Sequence, residues 1–155
     1  MKTSSARAPA RDAHARLHGD FRWPLPARFN IADVCCGRWA RRADAARRVA
    51  IAWEHEDGRA GTLSYAQLQE QADRLAHALV RLGVQRGDRV GIVMPQRPET
   101  AVAHVAIHQL GAVAMPLSML FGPEALAYRL QDSGATVAIA DESSIANLRA
   151  VRADC

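Results

Sequence analysis

Residues 79–94 read Leu-Val-Arg-Leu-Gly-Val-Gln-Arg-Gly-Asp-Arg-Val-Gly-Ile-Val-Met, and within this short span a helix ends, the chain turns and a strand begins. Gly83 stands where a helix commonly ends in the left-handed conformation, and Gly87 with Asp88 supplies the turn. The run from Arg89 to Met94 is apolar and of strand length, and Pro95 ends it. A helix, a short turn and an apolar strand form the repeating unit of α/β folds.

The same unit recurs on both sides of this segment. Ser64 begins the preceding helix, and Gln67 three residues later completes a capping box. One apolar stripe follows along this helix, with Gln69, Asp73 and Arg81 predicted to point outward; its members are Leu68, Ala72, Leu75, Leu79 and Leu82. Downstream we predict helices at 98–110, 123–132 and 142–151 and strands at 112–115 and 136–140. Apolar strands that alternate with amphipathic helices predict a parallel sheet with helices on both faces.

The first third of the chain has a different character. We predict that residues 1–20 form a disordered lead; their Ser, Ala and Arg content also fits an organelle transit peptide, but the whole chain shares it. The stretch 21–30 is expected to lie on the surface as an extended strap, anchored by Phe21 and Trp23. A helix is predicted over 32–46, followed by a β-hairpin made of 49–53 and 62–65.

Composition excludes several classes of protein. The chain has 155 residues, of which 49% are hydrophobic, and this suits a folded core. Its 20 Lys and Arg residues exceed its 16 acids, giving a net charge of +4, but they are scattered, so we predict no nucleic-acid partner. No apolar run reaches the length of a membrane span. Cys35, Cys36 and Cys155 lack the spacing of a zinc site and predict reduced thiols in a cytoplasmic protein.

Loops that bind phosphate are absent from the sequence. Neither GxxxxGK[ST] nor GxGxxG occurs. Arg97 follows a strand, where it could meet a phosphate or a carboxylate, but Glu99 beside it suggests an ordinary helix start, which we favour. Asp141 and Glu142, after the last strand, receive the same structural interpretation.

Two further candidates for chemistry are weak. His104 and His108 stand four residues apart on a predicted helix and could share a metal, but no third ligand is indicated, so packing or surface roles are favoured. Ser118 lacks the GxSxG context of a nucleophile. The residues alone therefore predict an α/β scaffold and no catalytic, cofactor-binding or metal-binding residue.

Five blocks of the chain, taken in order, carry a resemblance to a known family. They lie within residues 21–150 and read Leu63-Ser64-Tyr65-Ala66-Gln67-Leu68, Leu79-Val80-Arg81-Leu82-Gly83-Val84-Gln85-Arg86-Gly87-Asp88-Arg89-Val90, Met94-Pro95-Gln96-Arg97-Pro98-Glu99, Gly111-Ala112-Val113-Ala114-Met115-Pro116-Leu117, and Leu126 to Ala135. In this order they resemble the start of the AMP-forming acyl-CoA synthetases, members of the adenylate-forming superfamily. The strap 21–30 and the stretch Leu120-Phe121-Gly122-Pro123 resemble the acetyl- to medium-chain group of that family. The resemblance implies that residues 21–155 are an incomplete N-terminal subdomain of an AMP-binding synthetase or ligase domain.

What the resemblance implies about chemistry is a ligase reaction in two steps. A carboxylic or fatty acid reacts with ATP to give an acyl-adenylate, and coenzyme A then displaces AMP to form a thioester. ATP, Mg²⁺ and coenzyme A are thus implied for the complete enzyme. The family's Ser/Thr/Gly-rich loop, its nucleotide contacts and its mobile C-terminal lysine lie further along the chain, so we expect none of these ligands to bind these residues tightly.

These expectations lead to one hypothesis and one alternative. The hypothesis is that the chain is a piece of a longer enzyme, inactive and poorly soluble alone, with one sheet edge and several apolar helix stripes waiting for the missing remainder. The alternative is a non-catalytic α/β module that binds a partner through its open face.

Overall fold

A computed structural model describes residues 10–24 and 26–155. Its elements in chain order are α1 (Ala10–Asp20), a π-helical turn (Asp33–Gly37), α2 (Arg38–Ala40), β1 (Val49–Glu54), β2 (Ala60–Ser64), α3 (Tyr65–Arg81), β3 (Arg89–Val93), α4 (Pro98–Gln109), β4 (Val113–Pro116), α5 (Pro123–Ser133), β5 (Val137–Ala140), α6 (Ile145–Val151) and a final 3₁₀ turn (Arg152–Asp154).

The strands form the two sheets that the sequence predicts. β1 and β2 pair antiparallel as a hairpin, and β4, β3 and β5 form a parallel sheet in that order. β3 lies in the centre and is buried from Val90 to Val93, whereas the outer strands are only partly covered. The α/β architecture with parallel strands, alternating helices and a small hairpin is confirmed.

The number of open sheet edges differs from the expectation. We expected one edge to await further strands, but β4 lies on one side of β3 and β5 on the other. Within the described residues neither outer strand has a second neighbour. The connection from β4 to β5 therefore crosses β3, and the parallel sheet has an unpaired edge at each side.

A hydrophobic core covers each face of the parallel sheet. Val90 and Ile92 pack with α3 and α4 in the larger core, and Val93 packs with α5 and α6 in the smaller one. This alternation follows from the two-residue period of a strand. Gly91 faces α5 closely, since a Cβ atom there would lie 3.3 Å from Leu130 Cδ2. The small residue thus lets the helix approach the strand.

The capping box predicted for α3 is present. Ser64 Oγ accepts from the Gln67 backbone N–H at 3.2 Å, and the Gln67 side chain accepts from the Ser64 N–H at 2.9 Å. At the other end Gly83 adopts the left-handed conformation, with a φ of 92°. Of the predicted apolar stripe, Leu68, Ala72 and Leu79 are buried and Leu75 is half-buried. Leu82 is 69% exposed because the helix has already ended there.

The predicted outward face of α3 is partly wrong. Gln69 and Asp73 lie against α4 and are half-buried. Gln69 Nε2 donates to Asp73 Oδ1 at 2.8 Å and to Gln109 Oε1 at 3.1 Å, and Gln109 Nε2 donates to the same carboxylate at 3.0 Å. Polar residues at these positions therefore join two helices through hydrogen bonds, which polarity alone does not reveal.

The N-terminal region differs from the prediction in two ways. Residues 1–9 of the predicted disordered lead lie outside the described residues, and Ala10–Asp20 form a helix. Phe21 and Trp23 do not anchor the strap, because they are 53% and 76% exposed and pack edge to face against each other at 5.0 Å. The strap is joined to the core by Asn30 instead, whose Nδ2 donates to the His108 carbonyl at 2.8 Å.

The helix predicted over 32–46 is shorter and less regular than expected. It consists of the π-helical turn and α2, and residues 41–47 form turns. Gly37 explains part of this irregularity: a Cβ atom there would lie 2.9 Å from Asp33 Oδ1 and 3.2 Å from an Arg41 guanidinium nitrogen. The Asp33–Arg41 ion pair, at 2.8 Å, therefore crosses directly over the glycine.

None of the helices in the described part of the chain combines the length and the apolar character that crossing a bilayer requires.

The capping box of α3 gives a stability prediction. Ser64→Ala removes the acceptor for the Gln67 N–H at a buried helix start, and we expect the free energy of unfolding to fall by about 1 kcal/mol. Urea titration followed by far-ultraviolet circular dichroism measures this. Gln85→Ala, in an exposed turn, is the control and should leave the midpoint unchanged. An equal midpoint for both variants would contradict the assigned cap.

Candidate functional site

A large groove of about 1210 Å³ opens at the carboxyl ends of β3 and β4. The outer face of α4, the hairpin and the segment around Ile31 complete its walls. In doubly wound sheets, ligand crevices form at these strand ends where successive connections leave toward opposite faces. That condition holds here, since β3 leads to α4 on one face and β4 leads to α5 on the other. The lining residues include Ile31, Cys35, Trp53, Met94, Arg97, Thr100, His104, His108, Leu117 and Ser118.

The hairpin wall of the groove depends on a close contact between an indole and a glycine. Trp53 on β1 pairs with Gly61 on β2. A Cβ atom on Gly61 would lie 2.8 Å from the Trp53 ring, so only glycine lets the indole lie flat across the neighbouring strand. The groove therefore has an aromatic wall, and most of its surface is apolar.

The histidine pair on α4 faces this groove. The rings of His104 and His108 lie 6.2 Å apart, and His104 Nδ1 is 2.8 Å from the Thr100 carbonyl, so that nitrogen carries a proton. Burial lowers the pKa of His108, and the neighbouring His104 lowers it further. No cluster of three or more metal-binding side chains occurs among the residues that the structure describes. The favoured interpretation, packing rather than metal binding, stays a prediction.

Arg97 lies at the rim of the groove among carboxylates of this chain. Its Nε is 2.7 Å from Glu99, and its Nη1 is 3.3 Å from Asp141 and 3.6 Å from Glu142. The structure thus brings together two of the sequence candidates from the ends of β3 and β5, Arg97 and the Asp141–Glu142 pair. The guanidinium is already engaged by these groups, which leaves it little capacity for an added phosphate.

These contacts shift the ionisation of the acids. The hydrogen bond from Arg97 is the main cause that lowers the pKa of Glu99 below its ordinary 4.5, against some opposing desolvation. Burial acts to raise the pKa of Asp141, whose side chain is 6% exposed, but hydrogen bonds from Ser143 and Arg97 outweigh it and the net pKa is lowered. Both acids are therefore held ionised, and the loops after β3 and β5 are joined electrostatically.

The ion cluster of Arg97 with Glu99, Asp141 and Glu142 predicts how low pH affects the ionisation of Glu99. Arg97→Gln should return the pKa of Glu99 toward 4.5, measured by carbon-detected NMR titration, whereas Arg81→Gln should not. The unfolded chain binds this proton near 4.5 and the folded chain only at lower pH. The pair's contribution to stability is therefore complete above 4.5 and is lost as the pH falls through the lower folded value. An unchanged pKa in Arg97→Gln would refute the pairing.

Cys35 and Cys36 have opposite environments despite being neighbours. Cys35 is exposed and lines the groove, whereas Cys36 is buried in the larger core. Burial, then the charge of Asp73 and then Cys35 raise the pKa of the Cys36 thiol from 9.0 to about 11. Cys155, the third cysteine, is exposed.

Thiol reactivity should separate these cysteines. At pH 8 we expect the exposed Cys35 and Cys155 to react rapidly with 5,5′-dithiobis(2-nitrobenzoic acid), and Cys36 to react only after urea is added, because it is buried and remains protonated. Cys36→Ser should abolish the reaction that requires urea and leave the two rapid reactions unchanged. Three thiols with one common rate in the native chain would contradict the structure.

The donor groups of the described residues do not fit a magnesium–triphosphate complex. The carboxylates after β3 and β5 surround Arg97 rather than an open position. The glycines with positive φ lie in the hairpin turn or in turns at or after helix ends, and not between a strand and the helix that follows it; they are Gly58, Gly83, Gly87, Gly111 and Gly134. A phosphate-binding loop needs the reverse arrangement. The groove can accept apolar surface but offers no phosphate cradle.

The parallel α/β fold and the five sequence blocks described above define a class of protein. Residues 38–155 match the family model described as AMP-binding enzyme, and the chain belongs to that family. The sequence resemblance to AMP-forming acyl-CoA synthetases is thereby confirmed.

Particular relatives are acetyl-coenzyme A synthetases. The chain is 42% identical over 118 residues to the one from Streptomyces coelicolor, a match that covers 76% of this chain and 18% of that protein. It is 41% identical over 136 residues to the one from Vibrio cholerae, with 86% and 20% covered. The chain therefore spans about a fifth of these relatives.

Solved structures give the same fold. An acyl-CoA synthetase from Brucella canis superposes with a TM-score of 0.74 at 27% identity, covering 82% of this chain and 22% of that one. An anthranilate CoA ligase in complex with anthranoyl-AMP gives 0.72 at 25% identity, covering 84% and 24%. The partial parallel sheet thus corresponds to part of a larger domain in both enzymes.

Sequence reasoning missed the groove because its walls come from distant segments. Ile31, Trp53 and His108 lie on three segments that are far apart in the sequence, namely the residues after the strap, the hairpin and α4. One signal was available: a lone tryptophan opposite a glycine in a predicted hairpin indicates an aromatic ring lying across the neighbouring strand.

Proposed function

We propose that these residues are the amino-terminal part of an AMP-forming acyl-CoA synthetase of the acetyl-CoA synthetase type. The complete enzyme would activate a carboxylic acid as its acyl-adenylate and transfer the acyl group to coenzyme A. The observation that carries the proposal is the match of residues 38–155 to the AMP-binding enzyme family, at 42% identity to an acetyl-coenzyme A synthetase.

The part of the enzyme present here supplies scaffold. ATP, Mg²⁺ and coenzyme A belong to the complete enzyme, and the described residues offer neither a phosphate cradle nor an open set of carboxylates for them. Residues 21–155 constitute an incomplete N-terminal subdomain, and the 155 residues alone are catalytically incompetent. The free thiols support a cytoplasmic location.

The partner that this scaffold requires is the remainder of the same enzyme. The match spans only about a fifth of the relatives, and the described part has two unpaired sheet edges and a large, mainly apolar groove. Exposed apolar side chains lie beyond these features as well, including Leu120 at 93% and Tyr128 at 65%. Surfaces of this kind are normally covered in a finished domain.

A chimera tests the proposed function. Residues 38–155 replace the matching segment of the Streptomyces coelicolor acetyl-coenzyme A synthetase, and acetate-dependent ATP–pyrophosphate exchange is measured. We expect exchange at about a tenth of the parent rate, which corresponds to a loss of about 1.4 kcal/mol of transition-state stabilisation, because the replaced segment holds scaffold only. The 155-residue chain alone should give no exchange.

A matched variant controls for folding of the transplanted segment. Gly91→Val in the chimera places bulk against Leu130 under the central strand and should abolish both solubility and exchange. A soluble chimera without exchange would contradict the proposal. Exchange by the 155-residue chain alone would contradict its incompetence.

The non-catalytic module remains the competing function. It predicts that the chain is monodisperse only in complex with a second protein, whereas the proposed fragment is rescued by the remainder of a synthetase.

A further inference from the structure

One short segment of the chain is strongly basic. Residues 38–48 contain five arginines and one acid, Asp44, and the rest of the chain holds 15 basic and 15 acidic side chains. This segment, which runs from the start of α2 to the residue before β1, therefore has a formal charge of +4. The expectation that the basic residues are scattered is wrong for this segment; its arginines are Arg38, Arg41, Arg42, Arg47 and Arg48.

Three of these arginines pack around the indole ring of Trp39. The guanidinium carbons of Arg38, Arg48 and Arg42 lie 5.0, 5.6 and 6.0 Å from the centre of its indole ring. Tyr65 packs beside the same ring at 5.9 Å, and its backbone N–H donates to the Arg48 carbonyl at 3.0 Å. Cation–π attraction thus holds three like charges close together, which mutual repulsion would otherwise separate.

The cluster already binds one carboxylate. Asp44 Oδ2 accepts from Arg48 at 2.6 Å and Oδ1 accepts from Arg42 at 3.0 Å. These hydrogen bonds, that from Arg48 first, lower the pKa of Asp44 to about 2. One acid cannot balance the group, and Arg38 and Arg47 are exposed and have no ion-pair partner within the described ranges.

We propose that this arginine cluster, formed by Arg38, Arg42 and Arg48 around Trp39 together with Arg47, which directly precedes Arg48 in the chain, is a docking surface for an acidic protein segment. Carboxylates of such a segment would meet the two unpaired guanidinium groups in the way that Asp44 meets its two partners. A single-stranded nucleic acid fits less well, because guanidinium groups and Tyr65 already pack about the indole on which a base would stack. The surface is separate from the groove, since none of these four arginines lines it.

The test is a binding titration with a fluorescein-labelled hexaglutamate peptide, read by fluorescence anisotropy on the 155-residue chain. We expect binding in low salt and weakening as salt is raised through the range where screening becomes strong, about 0.1 to 1 M. The double variant Arg38→Gln, Arg47→Gln should bind about fivefold more weakly, as expected from the loss of two exposed ion pairs.

A control of equal charge separates a defined surface from general basicity. Arg81→Gln with Arg149→Gln removes two exposed charges from α3 and α6 and should leave affinity unchanged. Circular dichroism confirms folding of both variants. Equal loss in the two double variants, no peptide binding, or tighter binding of an oligothymidylate or of phosphatidylserine vesicles would each overturn the proposal.

Discussion

The burial of β3 between two helical layers is the constraint on which the rest of the structure depends. Val90 and Ile92 face α3 and α4, while Val93 faces α5 and α6, so this strand contributes to both cores. β3 is also a member of both strand pairs of the parallel sheet, with β4 on one side and β5 on the other. The groove, the ion cluster of Arg97 and the placement of α4 all follow from where this strand ends.

The elements around β3 could be predicted from the sequence because their signals are local. Apolar runs, Ser64 with Gln67, and glycines at helix ends each specify a backbone state within a few residues. The failures involve contacts between distant segments. The polarity of Gln69 and Asp73 predicts a solvent-facing position, but both lie against α4. Phe21 and Trp23 were expected to anchor the strap, but they are exposed, and Asn30 makes the hydrogen bond to α4 instead. The sheet order likewise depends on a crossover that no local pattern encodes.

The candidate site was predictable only in part, for the same reason. Arg97 and Asp141 were recognised separately at strand ends, but their pairing requires β3 and β5 to be neighbours. The groove needs the segment around Ile31, the hairpin and α4 together. The net charge was known from composition, whereas its concentration around Trp39 depends on the turns of 41–47, which replace the predicted helix and bring three arginines to one ring.

The order of the parallel strands has a consequence during biosynthesis. β3, α4 and β4 are consecutive in the chain, so the first strand pair and its crossover can form as soon as these residues leave the ribosome. β5 then adds to the opposite side of β3, so that the central strand is paired on both sides. The outer edges of β4 and β5 have no further neighbour among the described residues, and exposed strand edges of this kind favour non-native pairing until another element covers them.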